Sequence, residues 1–320
     1  MIMLRVGMLT SGGDCQALNA AMRGVAKSLF NQCSEVEIYG FTDGYKGLIY
    51  GEYRLLKNDD FSGILNIGGT ILGSSRMPFK YIGVPLEDGS DKIARMIDTY
   101  KKLNLDCLVV LGGNGSHKTA NLLREKGLNV LTLPKTIDND LAETEISFGF
   151  QSAVDIATNA IDCIHTTAAS HSRVFIVELM GHKTGWLTLH AGIAGGADII
   201  LIPEIPYSIE AISQAIAKRT ASGKRFTIIA AAEGAISKEE AAMSKKELKL
   251  LRKQENYAST AYRIGAAIEE KTGQKGFAFQ MKPDPYDFEM YLWSNGTAYC
   301  DEDGQMAGQI DSKESQEVFK

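Results

Sequence analysis

Two aspartates, two positions apart, are the part of this sequence best suited to chemistry. Asp138 and Asp140 lie in the segment PKTIDND, residues 134–140, directly after a run that predicts a β-strand. In extended backbone, side chains two positions apart point to the same side, so one carboxylate could act as a base while the other helps to hold Mg²⁺. The same Asp-Asn-Asp sequence is also ordinary turn chemistry, and the pattern alone favours neither interpretation.

Glycines form a second chemical feature, because the chain has 32 of them and they cluster just after predicted strands. The clusters fall at residues 11–14, 68–73 and 112–116. A glycine-rich turn that enters a helix lets backbone N–H groups approach an anion, so phosphate is the natural ligand. The sequence has neither GxxxxGK[ST] nor GxGxxG after a strand, which argues against a P-loop protein and against nicotinamide or flavin binding.

The elements that must position these groups alternate between strand and helix, which predicts an α/β fold with parallel sheets. The first series predicts strands at 4–9, 36–41, 106–111 and 128–133, and helices at 16–30, 90–103 and 116–126. The second predicts helices at 151–167, 185–194 and 209–222, and strands at 173–179, 199–202 and 226–232. Charged helical sequence follows at 237–271, and residues 288–310 suggest a short β-meander.

Composition bounds the class of protein. The 320 residues provide for about two domains, and 34 basic against 39 acidic side chains give a formal charge of -5 without a basic cluster. We therefore expect no nucleic-acid partner. A charged leader and an apolar run of about 20 residues are both missing from the sequence, so we expect a soluble, cytoplasmic protein without membrane contact. The five scattered cysteines predict reduced thiols.

Taken together, eight motifs resemble the phosphofructokinase family in order and spacing over about residues 4–235. They are TSGGDC with LNAA (10–21), GGTILGSSR (68–76), GGNGS (112–116), PKTIDND (134–140), FGF (148–150), SHSRV (170–174), VELMG (177–181) and AGIAGGAD (191–198). The resemblance implies two stacked three-layer α/β domains with mainly parallel sheets, assembled as a homodimer or homotetramer. It also implies Mg²⁺-dependent transfer of a phosphoryl group from ATP to the 1-hydroxyl of fructose 6-phosphate. We expect a nucleotide-binding domain at 1–143, an acceptor domain at 144–272 and a divergent C-terminal β-rich segment at 273–320.

The resemblance also assigns roles to single residues. Asp138 would take the hydroxyl proton, Asp140 would lie near the metal, Thr136 would contact the acceptor, and Arg76 would neutralise the transferring phosphoryl group. The nucleotide side would comprise Gly13, Tyr45, Arg76, Gly113, Asn114, Gly115, Ser116 and Lys135. The acceptor side would comprise Thr136, Asp138, Asp140, Arg173, Met180, Gly181, His182 and Glu233, with Arg173 reaching across a subunit interface. The metal would be held by Asn114 and Asp140.

The identity of the phosphoryl donor depends on Gly115 and Lys135. Pyrophosphate-dependent members of the family usually carry an aspartate where this chain has Gly115, and that carboxylate would repel the α-phosphate of ATP. Lys135 occurs in pyrophosphate enzymes and in some ATP enzymes of the same subgroup. The sequence therefore favours ATP and keeps pyrophosphate as an alternative.

Three departures from the family pattern concern the metal and the acceptor. Asn114 replaces a metal-binding aspartate, which should weaken Mg²⁺ binding. His182 replaces an arginine, and we expect a surface or core-edge histidine there rather than a catalytic one. After Arg263 the chain has no arginine, whereas the family clamps the 6-phosphate of the sugar with C-terminal arginines and a histidine. These departures keep three hypotheses open: a kinase for fructose 6-phosphate or for an acceptor without its 6-phosphate, a pyrophosphate-dependent enzyme, and a non-catalytic regulatory paralogue.

Overall fold

The computed structural model describes residues 3–255 and 257–272, together with the backbone of 277–279. Its first half contains five strands, β1 (Leu4–Ser11), β2 (Val36–Phe41), β3 (Tyr53–Leu56), β4 (Cys107–Gly112) and β5 (Val130–Pro134). Four helices accompany them, α1 (Leu18–Gln32), α2 (Tyr45–Tyr50), α3 (Lys92–Lys102) and α4 (Asn114–Glu125). The strands form one sheet in the order β3-β2-β1-β4-β5, in which β3 alone runs antiparallel to its neighbour.

The described residues of the second half contain four strands, β6 (Val174–Leu179), β7 (Ile199–Leu201), β8 (Thr227–Ala232) and β9 (Phe277–Phe279). Its helices are α5 (Phe150–His171), α6 (Trp186–Ala194), α7 (Ile209–Ala221), α8 (Lys238–Ala241), α9 (Lys245–Gln254) and α10 (Thr260–Thr272). The strands form a parallel sheet in the order β7-β8-β6-β9. The predicted α/β class with mainly parallel sheets is confirmed.

Alternating side chains place a hydrophobic core on each face of both sheets. On β1, Met8 and Leu9 are both fully buried but belong to different clusters, Met8 beside α1 and Leu9 beside α2 and α4. On β6, Ile176 packs with residues of α7 and α10, whereas Val177 packs with residues of α5 and α6. Because successive residues of a strand point to opposite faces, each sheet is covered by helices on both sides. This arrangement matches the expected three-layer units.

The predicted strands and helices that fall on described residues correspond to observed ones, with the charged stretch at 237–271 divided into α8, α9 and α10. Besides two short 3-10 helices at Asn58–Phe61 and Phe79–Tyr81, three observed elements were missing from the prediction. The short helix α2, the edge strand β3 and the strand β9 have no counterpart in the sequence analysis. The predicted β-meander at 288–310 lies outside the described residues, and the domain limits at 143 and 272 stay predictions. Of the helices that the structure describes, none is long and apolar enough to cross a membrane.

Candidate active site at the carboxyl ends of the first sheet

Three loops emerge side by side at one edge of the first sheet. Ser11, the last residue of β1, is in register with Gly112 of β4, and Gly112 is in register with Pro134 of β5. The segments that follow these three residues carry the glycine clusters and the aspartate pair. Parallel pairing therefore brings together the turn at 12–15, the start of α4 and the PKTIDND loop, as ligand sites of such sheets require.

The turn after β1 is held by its neighbours. Gly12 adopts a positive φ of 93°, its N–H donates to the carbonyl of Ser75 at 3.2 Å, and its carbonyl accepts from Ser74 Oγ at 2.6 Å. Lys135 Nζ donates to the carbonyl of Gly13. A Cβ added to Gly13 would lie 3.8 Å from the guanidinium of Arg76, whose side chain is exposed. The structure thus brings Gly13, Arg76 and Lys135 together.

The turn after β4 leads directly into α4. One of its glycines, Gly112, has crowded surroundings, whereas Gly115 has open surroundings. A Cβ on Gly112 would lie 2.4 Å from Ser116, whereas a Cβ on Gly115 would meet none of the described atoms within 4 Å. Gly113 precedes the helix, and Asn114 and Gly115 are exposed in its first turn. This free helix N-terminus, with exposed glycine, is suited to hold phosphate oxygens.

Tyr45 lies beneath this turn. The side chain is 1% exposed, and its hydroxyl donates to the carbonyl of Ser116 at 2.8 Å. Burial raises the pKa of Tyr45 far above its usual range, so the hydroxyl stays a neutral donor. Tyr45 therefore supports the first turn of α4. Its expected contact with a nucleotide stays a prediction.

The loop that carries the aspartate pair is fixed by its own polar groups. Asp138 N–H donates to Thr136 Oγ1 at 3.1 Å, which leaves the threonine hydroxyl proton free to donate to a ligand. Asn139 adopts a positive φ of 51°, and its Oδ1 accepts from Ser147 N–H at 2.9 Å. Ser147 Oγ lies 2.7 Å from the carbonyl of Thr136. Neither Asn139 nor Ser147 was predicted as a site residue, although Asn139 lies within PKTIDND and Ser147 directly precedes FGF.

The electrostatics of this loop favour a base at position 138. Burial raises the pKa of Asp138 above the ordinary 3.8, and the negative charges of Asp140 and Glu233 raise it further, while His182 and Lys135 act in the opposite sense. Asp140 itself is exposed. A carboxylate with a raised pKa binds a proton more readily, which suits general-base catalysis near neutral pH. Burial also lowers the pKa of Lys135, the largest influence on that group.

The acceptor-side residues predicted from the sequence meet this loop from the second sheet. Met180 follows β6 and is 58% exposed, and Gly181 and His182 continue from it. Glu233, directly after β8, accepts from the N–H groups of Gly181 at 3.1 Å and His182 at 2.6 Å through one oxygen, Oε1. The negative charge of Glu233 also raises the pKa of Asp138.

Arg173 is the predicted residue that the structure keeps apart from the others. It directly precedes β6, so the length of that six-residue strand, about 20 Å, separates it from Met180. Its side chain is exposed at the opposite edge of the sheet. Within one chain it therefore does not join the site, and its role across a subunit interface stays a prediction.

The oxygen donors at the strand ends fit Mg²⁺. In the described part of the chain, no group of three or more His, Cys, Asp or Glu side chains could hold a metal ion. Magnesium does not need such a group, because it commonly takes one or two carboxylates and completes its shell with water and substrate phosphates. Asp140 and the amide of Asn114, on the adjoining loop, are the predicted ligands of this kind, and their role stays a prediction.

Comparison with known proteins agrees with this geometry. Residues 5–281 match the phosphofructokinase family. A protein of Spirochaeta thermophila named ATP-dependent 6-phosphofructokinase is 53% identical over 291 residues, which cover 88% of this chain and 79% of the relative. ATP-dependent 6-phosphofructokinase 3 of Bacteroides thetaiotaomicron is 48% identical over 235 residues, which cover 73% of this chain and 69% of the relative.

Solved structures show the same architecture. Phosphofructokinase from Saccharomyces cerevisiae superposes with a TM-score of 0.72 at 28% identity, covering 88% of this chain and 38% of the larger yeast chain. A pyrophosphate-dependent phosphofructokinase from Nitrosospira multiformis gives a TM-score of 0.70 at 19% identity, covering 98% of this chain and 73% of its own, a likeness of fold alone. With strand ends, motifs and relatives in agreement, the chain belongs to the phosphofructokinase family.

Proposed function

We propose that this chain is a kinase that transfers the γ-phosphoryl group of ATP to the 1-hydroxyl of fructose 6-phosphate. The observation that carries the proposal is the half-buried Asp138, whose loop follows β5 beside the glycine-rich turns after β4 and β1 and accepts a hydrogen bond from Thr184, next to the Gly181–His182 turn. The raised pKa of Asp138 suits the removal of a hydroxyl proton. The names of relatives up to 53% identical support the same donor and acceptor.

In this proposal each loop has one task. The turns at Gly13 and Gly115 hold donor phosphates through backbone N–H groups, and Arg76, exposed beside Gly13, neutralises charge on the transferring group. Thr136 donates its hydroxyl proton to the acceptor, and Asp138 accepts the acceptor's proton. Asn114 and Asp140 would hold Mg²⁺, which supplies neutralisation of the donor phosphates.

The 6-phosphate of the acceptor must be bound by residues other than those at the reacting hydroxyl. The sequence has no arginine after Arg263, so a 6-phosphate must find its cations elsewhere. Arg173, at the amino end of β6, is suited to reach such a phosphate in a neighbouring subunit. We therefore propose a homo-oligomer whose interface completes the acceptor site, with sedimentation of the purified chain as the measurement of its assembly.

The surroundings of Gly115 and Lys135 bear on whether the phosphoryl donor is ATP or pyrophosphate. A Cβ added to Gly115 would meet no described atom within 4 Å, so an α-phosphate has room beside it, while Lys135 is 6% exposed and already donates to the carbonyl of Gly13. These contacts favour ATP. Pyrophosphate is the second candidate donor, because Lys135 lies beneath the Gly13 turn and its charge is near the donor phosphates proposed there.

The test is a matrix of donors and acceptors with the purified full-length chain and Mg²⁺. ATP and pyrophosphate are each combined with fructose 6-phosphate, with fructose and with further sugars, and the product is identified by mass. We expect ATP with fructose 6-phosphate to give the bisphosphate, and Asp138→Asn to lose at least 100-fold in kcat, as general-base catalysis typically contributes about 10²–10⁴.

The matched control is Asp162→Asn, which neutralises an exposed aspartate of α5. It should retain wild-type turnover. Full activity of Asp138→Asn would refute the assigned base, turnover with pyrophosphate alone would establish the second donor, and a pure, folded chain that turns over no combination would favour the regulatory paralogue.

A further inference from the structure

A tight turn on the acceptor side is fixed to the end of β8. Thr184 N–H donates to the carbonyl of Gly181 at 3.0 Å, which closes the turn, and both Gly181 and His182 occupy positive φ values of 148° and 53°. Glu233 Oε1 accepts from the N–H groups of these two residues. Thr260 Oγ1 in turn donates to the carbonyl of Glu233 at 2.8 Å, so the start of α10 holds the same position.

The hydroxyl of Thr184 extends this fixed turn to the base. Thr184 Oγ1 lies 2.9 Å from the carbonyl oxygen of Asp138 and 3.1 Å from that of Gly181. A hydroxyl has one proton, and the shorter contact is the one to Asp138. Among the hydrogen bonds found between described residues, this one joins the PKTIDND loop to the half of the chain that carries the second sheet.

We propose that Thr184 is a positioning residue for phosphoryl transfer. Its hydroxyl fixes the main chain of Asp138 to the turn at 181–184, and so sets how far the base lies from the acceptor hydroxyl. The inference rests on the proposed function, in which Asp138 takes that proton. Its physical basis is that a small misplacement of a reacting group costs a large factor in rate, even when binding is unchanged.

The contacts define what should change and what should not. The donor turns at Gly13 and Gly115 are built on the first sheet, whereas the Thr184 hydroxyl contacts the carbonyl oxygens of Asp138 and Gly181. Asp138 N–H is held within its own loop by Thr136, so the loop keeps one anchor when Thr184 loses its hydroxyl. Removal of that hydroxyl should therefore alter the acceptor geometry and the rate, while ATP binding stays the same.

The test compares Thr184→Val with Thr184→Ser in the full-length chain. Valine keeps the shape and removes the hydrogen bond, whereas serine keeps the hydroxyl. We expect Thr184→Val to lower kcat about three- to tenfold, the size of one hydrogen bond expressed as a rate, with the KM for ATP within twofold of wild type. Thr184→Ser should recover most of the rate.

Thr188→Val is the matched control. Thr188 is fully buried in α6, four positions away, and its hydroxyl has no hydrogen-bond partner among the described residues. It should retain wild-type kinetics. Equal kinetics of Thr184→Val and wild type would overturn the inference, as would a serine variant as slow as valine, since the γ-methyl would then matter instead of the hydroxyl. Absence of turnover in wild type itself would instead overturn the proposed function.

Discussion

One carboxylate added at Gly115 should weaken ATP binding without destabilising the fold. Gly115 is the second residue of α4, its φ lies outside the left-handed region, and a Cβ there meets no described atom within 4 Å. Gly115→Asp therefore introduces a negative charge without steric conflict inside the protein. If the first turn of α4 holds donor phosphates, the new carboxylate occupies the space that they need.

The substitution Gly115→Asp should raise the stability of the folded chain and lower its affinity for ATP. A residue with a side chain is favoured over glycine in a helix by about 0.5–1 kcal/mol, and an acidic side chain in the first turn adds about 0.3–1 kcal/mol through the helix dipole. Two unit charges about 4 Å apart near a protein surface repel by about 4 kcal/mol. Solvent screening at this exposed turn reduces that value to roughly 2–3 kcal/mol, so we expect kcat/KM for ATP to fall about 30- to 160-fold.

The assay is steady-state kinetics with ATP for wild type, Gly115→Asp and Gly115→Ala, with thermal unfolding of each. Alanine adds the Cβ without the charge and should cost less than tenfold, with a Tm at or above that of wild type. The difference between the two variants then measures the repulsion. Equal kcat/KM for the aspartate and alanine variants would refute a phosphate site at this turn, and a collapse of Tm in the aspartate variant would refute the open geometry.

Three further predictions test the surroundings of the base and the fold. Asp138→Asn should raise Tm at pH 8, because burial and neighbouring carboxylates raise the pKa of Asp138, so that its ionised form destabilises the folded chain. The gain in Tm should shrink as the pH falls through that pKa, and thermal scans from pH 4 to 8 would show this. Glu233→Gln keeps the acceptor for the turn amides but removes a like charge, so the pKa of Asp138 should fall and the acid limb of the kcat/KM profile should move to lower pH. Gly44→Ala should destabilise the chain by about 1–3 kcal/mol in chemical denaturation, because Gly44 has φ 68° and an added Cβ would lie 2.5 Å from the carbonyl of Thr10.

The parts of the fold that sequence could predict are those governed by burial. The strand predicted at 36–41 matches β2 residue for residue, and the helix predicted at 209–222 differs from α7 by one residue at its end. Buried parallel strands are continuous apolar runs, and long helices repeat their apolar positions, so both leave a clear pattern. Family motifs then placed the site at the strand ends.

The parts that escaped prediction are governed by backbone conformation and by distant contacts. Helix α2 begins after Gly44 and ends before Gly51, both with positive φ, and it is too short for a helical repeat to show. Strand β3 lies at the sheet edge with Tyr53 and Leu55 exposed, so its apolar pattern does not mark a core. The bond between Thr184 and Asp138 spans 46 positions and exists only because the turn at 181–184 is formed.

Asp138 is anchored by its main chain, through its N–H to Thr136 and its carbonyl to Thr184, so the loop does not depend on the charge of the side chain. An asparagine at 138 is nearly isosteric and should keep both anchors. The Asp138→Asn protein should therefore be able to bind donor and acceptor together without turning them over. Such a dead-end ternary complex is the species to crystallise, because it would hold both substrates at full occupancy and reveal directly which side chains surround the far end of the acceptor.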